Sequence, residues 1–196
     1  MKVYIASMFA DKDRVKQRAK DLAVLGIACT SRWAEEKVPH NVRMSDCKDE
    51  YLRETAVIDL DDILVADKLV LTVPEPELLV EATIAAASRG GRHFESGFIY
   101  GLVVAAVMDG CKPQRELIIL GKPENVFHML DGIGAASRYP TIKNFRTWEE
   151  VKQYLKEEKD VIDARSSNLV AAHGCNRTQE STTRIGGSRL FPCSLN

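Results

Sequence analysis

The sequence is short of the signatures that most often settle a function. It contains no GxGxxG and no GxxxxGK[ST], so neither a dinucleotide site nor a P-loop is supported. Its cysteines (Cys29, Cys47, Cys111, Cys175 and Cys193) are odd in number and form no CxxC pair, which argues against a disulfide framework or a zinc site. His40, His93, His128 and His173 are scattered without HxxxH spacing, so no metal site is expected. No apolar run approaches the roughly 18 residues of a membrane span. A formal net charge of −1 removes the electrostatic case for a nucleic-acid polymer or a membrane surface as partner. The opening residues 1–6 are too short an apolar stretch for a signal peptide, and charges follow at Asp11, Lys12 and Asp13; a cytoplasmic protein is the expectation. In that compartment the sequon Asn176-Arg177-Thr178 has no use.

What is present is a chain of 196 residues, 45% hydrophobic, enough for one domain with a real core. Short apolar runs alternate with helical patterns. This predicts an α/β fold: a flavodoxin- or Rossmann-like open parallel sheet of about five strands with helices on both faces. Strands are predicted at 3–6, 27–29, 68–73 and 116–120, with a short fifth at 141–145. Helices are predicted at 11–25, ended by Gly26, and at 46–65. Thr147 and Glu150 form a capping box that opens the last helix. The pattern stops near Asp160. Residues 1–160 read as the α/β domain, and 161–196, rich in Ser, Thr, Asn, Gly and Arg, as a disordered tail or a non-native extension.

Open parallel sheets bind ligands beyond the carboxyl ends of their strands, so the loops at 7–9, 30–33, 74–92 and 121–128 are the ones to search. The most informative segment lies on that rim: Arg89-Gly90-Gly91-Arg92-His93-Phe94-Glu95-Ser96-Gly97. Adjacent glycines let the backbone approach a ligand closely. Glu95 then stands where an apolar helical run begins (Phe98, Ile99, Leu102, Val103, Ala106). At a helix N-terminus the helix dipole would favour its ionised form, as a carboxylate nucleophile needs. The plainer reading is an ordinary first-turn Glu.

A second carboxylate sits in an unexpected place. Leu52, Ala56, Asp59 and Ile63 fall at i, i+4, i+7 and i+11, one stripe facing the core, so Asp59 interrupts an apolar face. Desolvation there would suit a proton donor. The alternative is an edge position, solvated or bonded to backbone. Asp61, Asp62 and Asp67 read as solvent-side. Two carboxylates in contrasting environments can divide the nucleophile and acid roles of glycoside cleavage.

Taken together, four segments over roughly residues 1–157 resemble the nucleoside 2-deoxyribosyltransferase family, whose superfamily includes the deoxynucleoside 5′-monophosphate N-glycosidases. They are Val3-Tyr4-Ile5-Ala6-Ser7, the stretch from Asp59 to Asp67, Gly90 to Gly97, and Gly121 to His128 followed by Phe145 to Glu150. The resemblance implies cleavage of the N-glycosidic bond of a (2′-deoxy)nucleoside or its 5′-monophosphate through a glycosyl ester on Glu95. The sugar then passes to another base or to water. Asp59 would protonate or hold the departing base, and Tyr4 would hydrogen-bond Glu95; Tyr4 reads equally as a packed strand residue. No cofactor is implied. Phe9 and Trp33 could stack on the base or simply pack. Arg32, Arg92 and His93, beside Gly91, could hold a 5′-phosphate or form a solvated basic loop. Ser7 lies on the first rim loop, and Ser88 falls near the family's phosphate-binding Ser. A neighbouring subunit completes the pocket in relatives. By position that residue is Asn125 or His128, which implies a homodimer or larger even homo-oligomer sharing its active sites. Three alternatives stay open: a ribonucleotide (CMP-type) N-glycosidase, a non-catalytic nucleotide-sensing module of the same fold, and a flavodoxin-like electron carrier.

Overall fold

A computed structural model describes residues 1–8, 11–35, 47–73, 91–109, 115–122 and 142–175. The elements are β1 (Lys2–Ala6), α1 (Lys12–Val24), β2 (Ala28–Cys29), a 3-10 turn (Arg32–Glu35), α2 (Asp49–Leu64), β3 (Lys68–Thr72), α3 (Gly91–Met108), β4 (Glu116–Leu120), β5 (Ile142–Phe145) and α4 (Trp148–Cys175). The strands form one parallel sheet in the order β2-β1-β3-β4-β5. Two compact units divide the chain, residues 1–157 and 158–196.

In the first unit the central strands are apolar on both sides. Val3 to Ala6, Leu69 to Leu71 and Leu117 to Leu120 are all buried, as expected when helices cover both faces of a parallel sheet. The chain moves one way from β1 to β2 and the other way from β2 through β5. With right-handed crossovers, this reversal puts α1 on one face and α2 with α3 on the other. The start of α4 joins the α1 face: the Trp148 indole N–H donates to Asp21 Oδ2 at 2.8 Å, and the Arg18 guanidinium lies 5.3 Å from the Trp148 ring centre. On the opposite side α3 packs on β1, β3 and β4, and also against α2.

Local signals in the sequence act as expected. Gly26 adopts a left-handed φ of 68°, and its N–H bonds back to the Ala23 carbonyl, ending α1. The capping box at α4 is complete. The Thr147 hydroxyl accepts from the Glu150 N–H, and the Glu150 carboxylate accepts from the N–H groups of Thr147 and Arg146. At the amino ends of β3 and β4, Lys68 pairs with Glu116 at 2.8 Å, and the Tyr154 hydroxyl donates to the same carboxylate at 2.7 Å. This polar stitching lies at the amino end of the sheet, opposite the carboxyl rim.

In the second unit α4 continues to Cys175, although the apolar period ends near Asp160. The chain expected to be a disordered tail is helical over 161–175; residues 176–196 lie outside the described residues. Over residues 161–168, all exposed, local bonds rather than burial support the helix. Lys159 pairs with Asp163 one turn on, and the hydroxyls of Ser166 and Ser167 donate to the carbonyls of Ile162 and Asp163. Val161 and Ile162 are exposed.

Candidate active site

The strand order reverses between β1 and β3, and ligands bind open α/β sheets at such switch points. Two of the sequence-predicted residues meet there. The Tyr4 hydroxyl, on β1, donates to Glu95 Oε1, on α3, at 2.9 Å. Tyr4 is fully buried; alternation along β1 turns it toward the α2/α3 face, with Ala6, while Val3 and Ile5 face the other way. Glu95 is half-buried. From α2, Asp59 approaches the pair: its Oδ1 is shielded from solvent, and its charge raises the phenol's pKa.

The electrostatics follow from burial. Desolvation pushes the Glu95 carboxyl from 4.5 up to about 7, against the Tyr4 hydrogen bond, which pulls it down. Desolvation, then the charges of Glu95 and Asp59, push the Tyr4 phenol well above its ordinary value. Tyr4 therefore remains a protonated donor, and Glu95 is an acceptor that changes charge near neutrality.

This corrects one expectation. Glu95 does not stand at the helix start. α3 begins at Gly91, so Gly91, Arg92, His93 and Phe94 fill the first turn and Glu95 lies a turn deeper, where the dipole's end has faded. Its ionised form is disfavoured by burial rather than favoured by the terminus.

The stripe on α2 is also rotated from the predicted one. Ile63 is buried and Leu52 and Asp59 are half-buried, but Ala56 is exposed, and Asp62, expected in solvent, is only 4% exposed. Asp62 is held by Arg32. The Arg32 backbone N–H donates to Oδ2 at 3.0 Å and its Nε to Oδ1 at 2.7 Å. Arg32 is thus turned to a carboxylate of the protein itself. Sequence reasoning missed Asp62; its spacing of three from Asp59, one helical step on the same side, was the available signal.

The remaining rim residues divide. Trp33 is in the core, its indole N–H donating to the Ile5 carbonyl at 3.1 Å, so packing accounts for it. The Ser7 hydroxyl donates to Asp11 Oδ2 at 2.9 Å. Asp11 is buried and pairs with Arg14 and Arg18, and Arg18 also donates to the Thr72 hydroxyl at 3.0 Å. This network ties the carboxyl ends of β1 and β3 to α1. Phe94, 63% exposed beside Glu95, stacks on Phe98 with centroids 6.4 Å apart. Gly91, Arg92 and His93 form the first turn of α3, with their side chains outside the described residues. Phe9, Ser88, Asn125 and His128 lie outside them altogether.

A flavodoxin-like parallel sheet with a tyrosine–carboxylate pair at its switch point is the class of arrangement that fold and site define. Among solved structures, the chain is similar to a 2-deoxyribosyltransferase from Bacillus psychrosaccharolyticus, at 19% identity and a TM-score of 0.45 over 78% of this chain and 90% of that one. It is similar to a Clostridium botulinum CMP N-glycosidase at 17% identity and a TM-score of 0.40, over 79% and 98% of the two chains. A conserved protein from Enterococcus faecalis V583 gives 15% identity and a TM-score of 0.43, over 81% and 98%. No family model and no curated protein matches. At these identities the comparison bears on neither substrate nor reaction. Among the described residues, no helix is long and apolar enough to cross a membrane.

Proposed function

We propose that the protein cleaves the N-glycosidic bond of a (2′-deoxy)nucleoside or its 5′-monophosphate with Glu95 as nucleophile. The observation that carries this reading is the 2.9 Å bond from Tyr4 to Glu95 Oε1, with Asp59 close enough for its charge to act on Tyr4. Tyr4 fixes one carboxylate oxygen, and Oε2 attacks C1′. The C1′–N bond breaks with its electron pair on the base nitrogen, and Asp59 protonates or holds the departing base. The transition state is oxocarbenium-like, so an anion beside it is stabilising before the new bond forms. Water or a second base then attacks C1′, and the ester's electron pair returns to Glu95. The resemblance of the segments around Tyr4, Asp59 and Glu95 to the deoxyribosyltransferase family supports the same roles. On this reading the protein is a homodimer or larger even homo-oligomer whose subunits share their sites.

The test is incubation with a panel of nucleosides and 5′-monophosphates, with and without an acceptor base, followed by chromatography. Free or exchanged base from wild type and none from Glu95→Gln is expected, with a sugar adduct on the peptide bearing Glu95 in quenched reactions. No base released from any panel member would overturn the proposal. Release without transfer would assign hydrolysis.

A further inference from the structure

The second carboxylate of the site is bracketed by a clamp. Arg32 holds both oxygens of Asp62, and its Nη2 lies 3.4 Å from the Ile58 carbonyl. The Thr30 hydroxyl is 3.0 Å from the Asp62 carbonyl and 3.4 Å from the Val3 carbonyl, and the Thr30 N–H donates to Val3 at 2.9 Å. Ile58 immediately precedes Asp59, and Asp62 follows it by three. Val3 immediately precedes Tyr4. One short segment therefore ties the backbone beside Tyr4 to the helical turn that carries Asp59. The Asp62 side chain is 5% exposed and that of Arg32 is 60% exposed, so the carboxylate is the buried partner, and losing either partner of such a pair is costly.

We propose that Arg32 and Asp62 are positioning residues that set Asp59 against the Tyr4–Glu95 pair, and that Arg32 is not a ligand for a substrate phosphate. This rests on the reaction proposed above. The titratable and charged groups around the pair, among the described residues, are Tyr4 from β1, Asp59 and Asp62 from α2, and Arg32 from the turn before α2. The Asp62 charge also reaches the Tyr4 hydroxyl. Removing Arg32 leaves the buried Asp62 without its cation, and neutralising Asp62 removes what Arg32 holds; either change loosens the α2 turn that carries Asp59.

The experiment compares wild type, Arg32→Ala, Arg32→Lys and Asp62→Asn in two arms. The first measures kcat and KM on a 2′-deoxynucleoside and on its 5′-monophosphate. A fall in kcat of about tenfold or more is expected in Arg32→Ala and Asp62→Asn, since small misplacements of a reacting group are costly. KM should stay nearly constant and both substrates should suffer alike, with partial rescue in Arg32→Lys. A rise in KM confined to the monophosphate would overturn the proposal in favour of a phosphate ligand. The second arm needs no turnover. Carboxyl carbon NMR of labelled protein, with Asp59 assigned through Asp59→Asn, should show the Asp59 resonance displaced in Arg32→Ala and in Asp62→Asn, and displaced less in Arg32→Lys. An Asp59 resonance that stays at its wild-type position in both variants would overturn the clamp. If wild type turns over nothing, the reaction fails and this arm alone decides the clamp. If Arg32→Ala does not fold, Asp62→Asn and Arg32→Lys carry the comparison.

Discussion

Replacing Tyr4 by Phe keeps the buried ring and removes only the hydroxyl that donates to Glu95 Oε1 at 2.9 Å. A hydrogen bond to a charged group contributes about 1.5–3 kcal/mol, and 1.36 kcal/mol corresponds to one pH unit. The Tyr4 bond is the influence that lowers the Glu95 pKa, while burial raises it to about 7. Without the bond, the midpoint should climb by roughly one to two units. The sign follows from which form is stabilised: the hydroxyl favours the ionised carboxylate, so its loss favours the protonated one. Carboxyl NMR reads the midpoint directly. The rate of base release should rise with pH through about 7 in wild type, as the nucleophile ionises, and through a higher pH in Tyr4→Phe. Stability follows the same linkage. A group whose folded pKa is raised above its ordinary 4.5 contributes stability at pH below 4.5 that is lost as pH rises through the folded value. Tyr4→Phe should therefore lose most stability in the alkaline range. A Glu95 midpoint that stays in place or falls in Tyr4→Phe would refute the argument, because the bond would then not be favouring the charged form.

Glu95→Gln should abolish base release, by about a thousandfold or more. It should also stabilise the fold at pH 8.5 by up to about 3 kcal/mol, from the rise of 4.5 to about 7, and by little at pH 4; urea denaturation at the two pH values checks this, and an equal gain at both would contradict it. Gly121→Ala places a Cβ 3.1 Å from both Cβ and the carbonyl oxygen of Val73 at a φ of +114°, and should cost about 2 kcal/mol by the same measurement. Thr147→Ala removes the cap of α4 and should cost about 1 kcal/mol, with a wild-type Tm counting against the capping assignment.

The strands were legible because parallel strands covered on both sides are apolar along most of their length, as 68–73 and 116–120 are, and are too short to suit a helix. Tyr4, Asp59 and Glu95, which the structure brings together, drew notice for different reasons: Asp59 interrupts an apolar stripe, Glu95 follows a Gly-Gly loop at the start of an apolar run, and Tyr4 stands where the resembled family has a tyrosine. What failed was depth and pairing. Four residues of helix before Glu95 separate a terminal carboxylate from a buried one, and that reverses the sense in which its charge is tuned. Helical spacing fixed a face of α2 only to within one residue step, enough to find Asp59 and to misplace Asp62. The partner that makes Asp62 tolerable in the interior comes from 30 positions earlier, and no local period encodes a contact across that distance. Arg32 and Trp33, adjacent on one rim loop, stayed open for the same reason: a basic and an aromatic side chain beside a cleft suit a ligand or the protein itself, and here one bonds a buried carboxylate and the other packs in the core. A rim residue's chemistry is therefore open until the protein's own buried charges have been matched. On the proposed reaction, that matching leaves Glu95, held by the Tyr4 hydroxyl and pushed up to about 7 by burial, with Asp59 beside it, for the substrate.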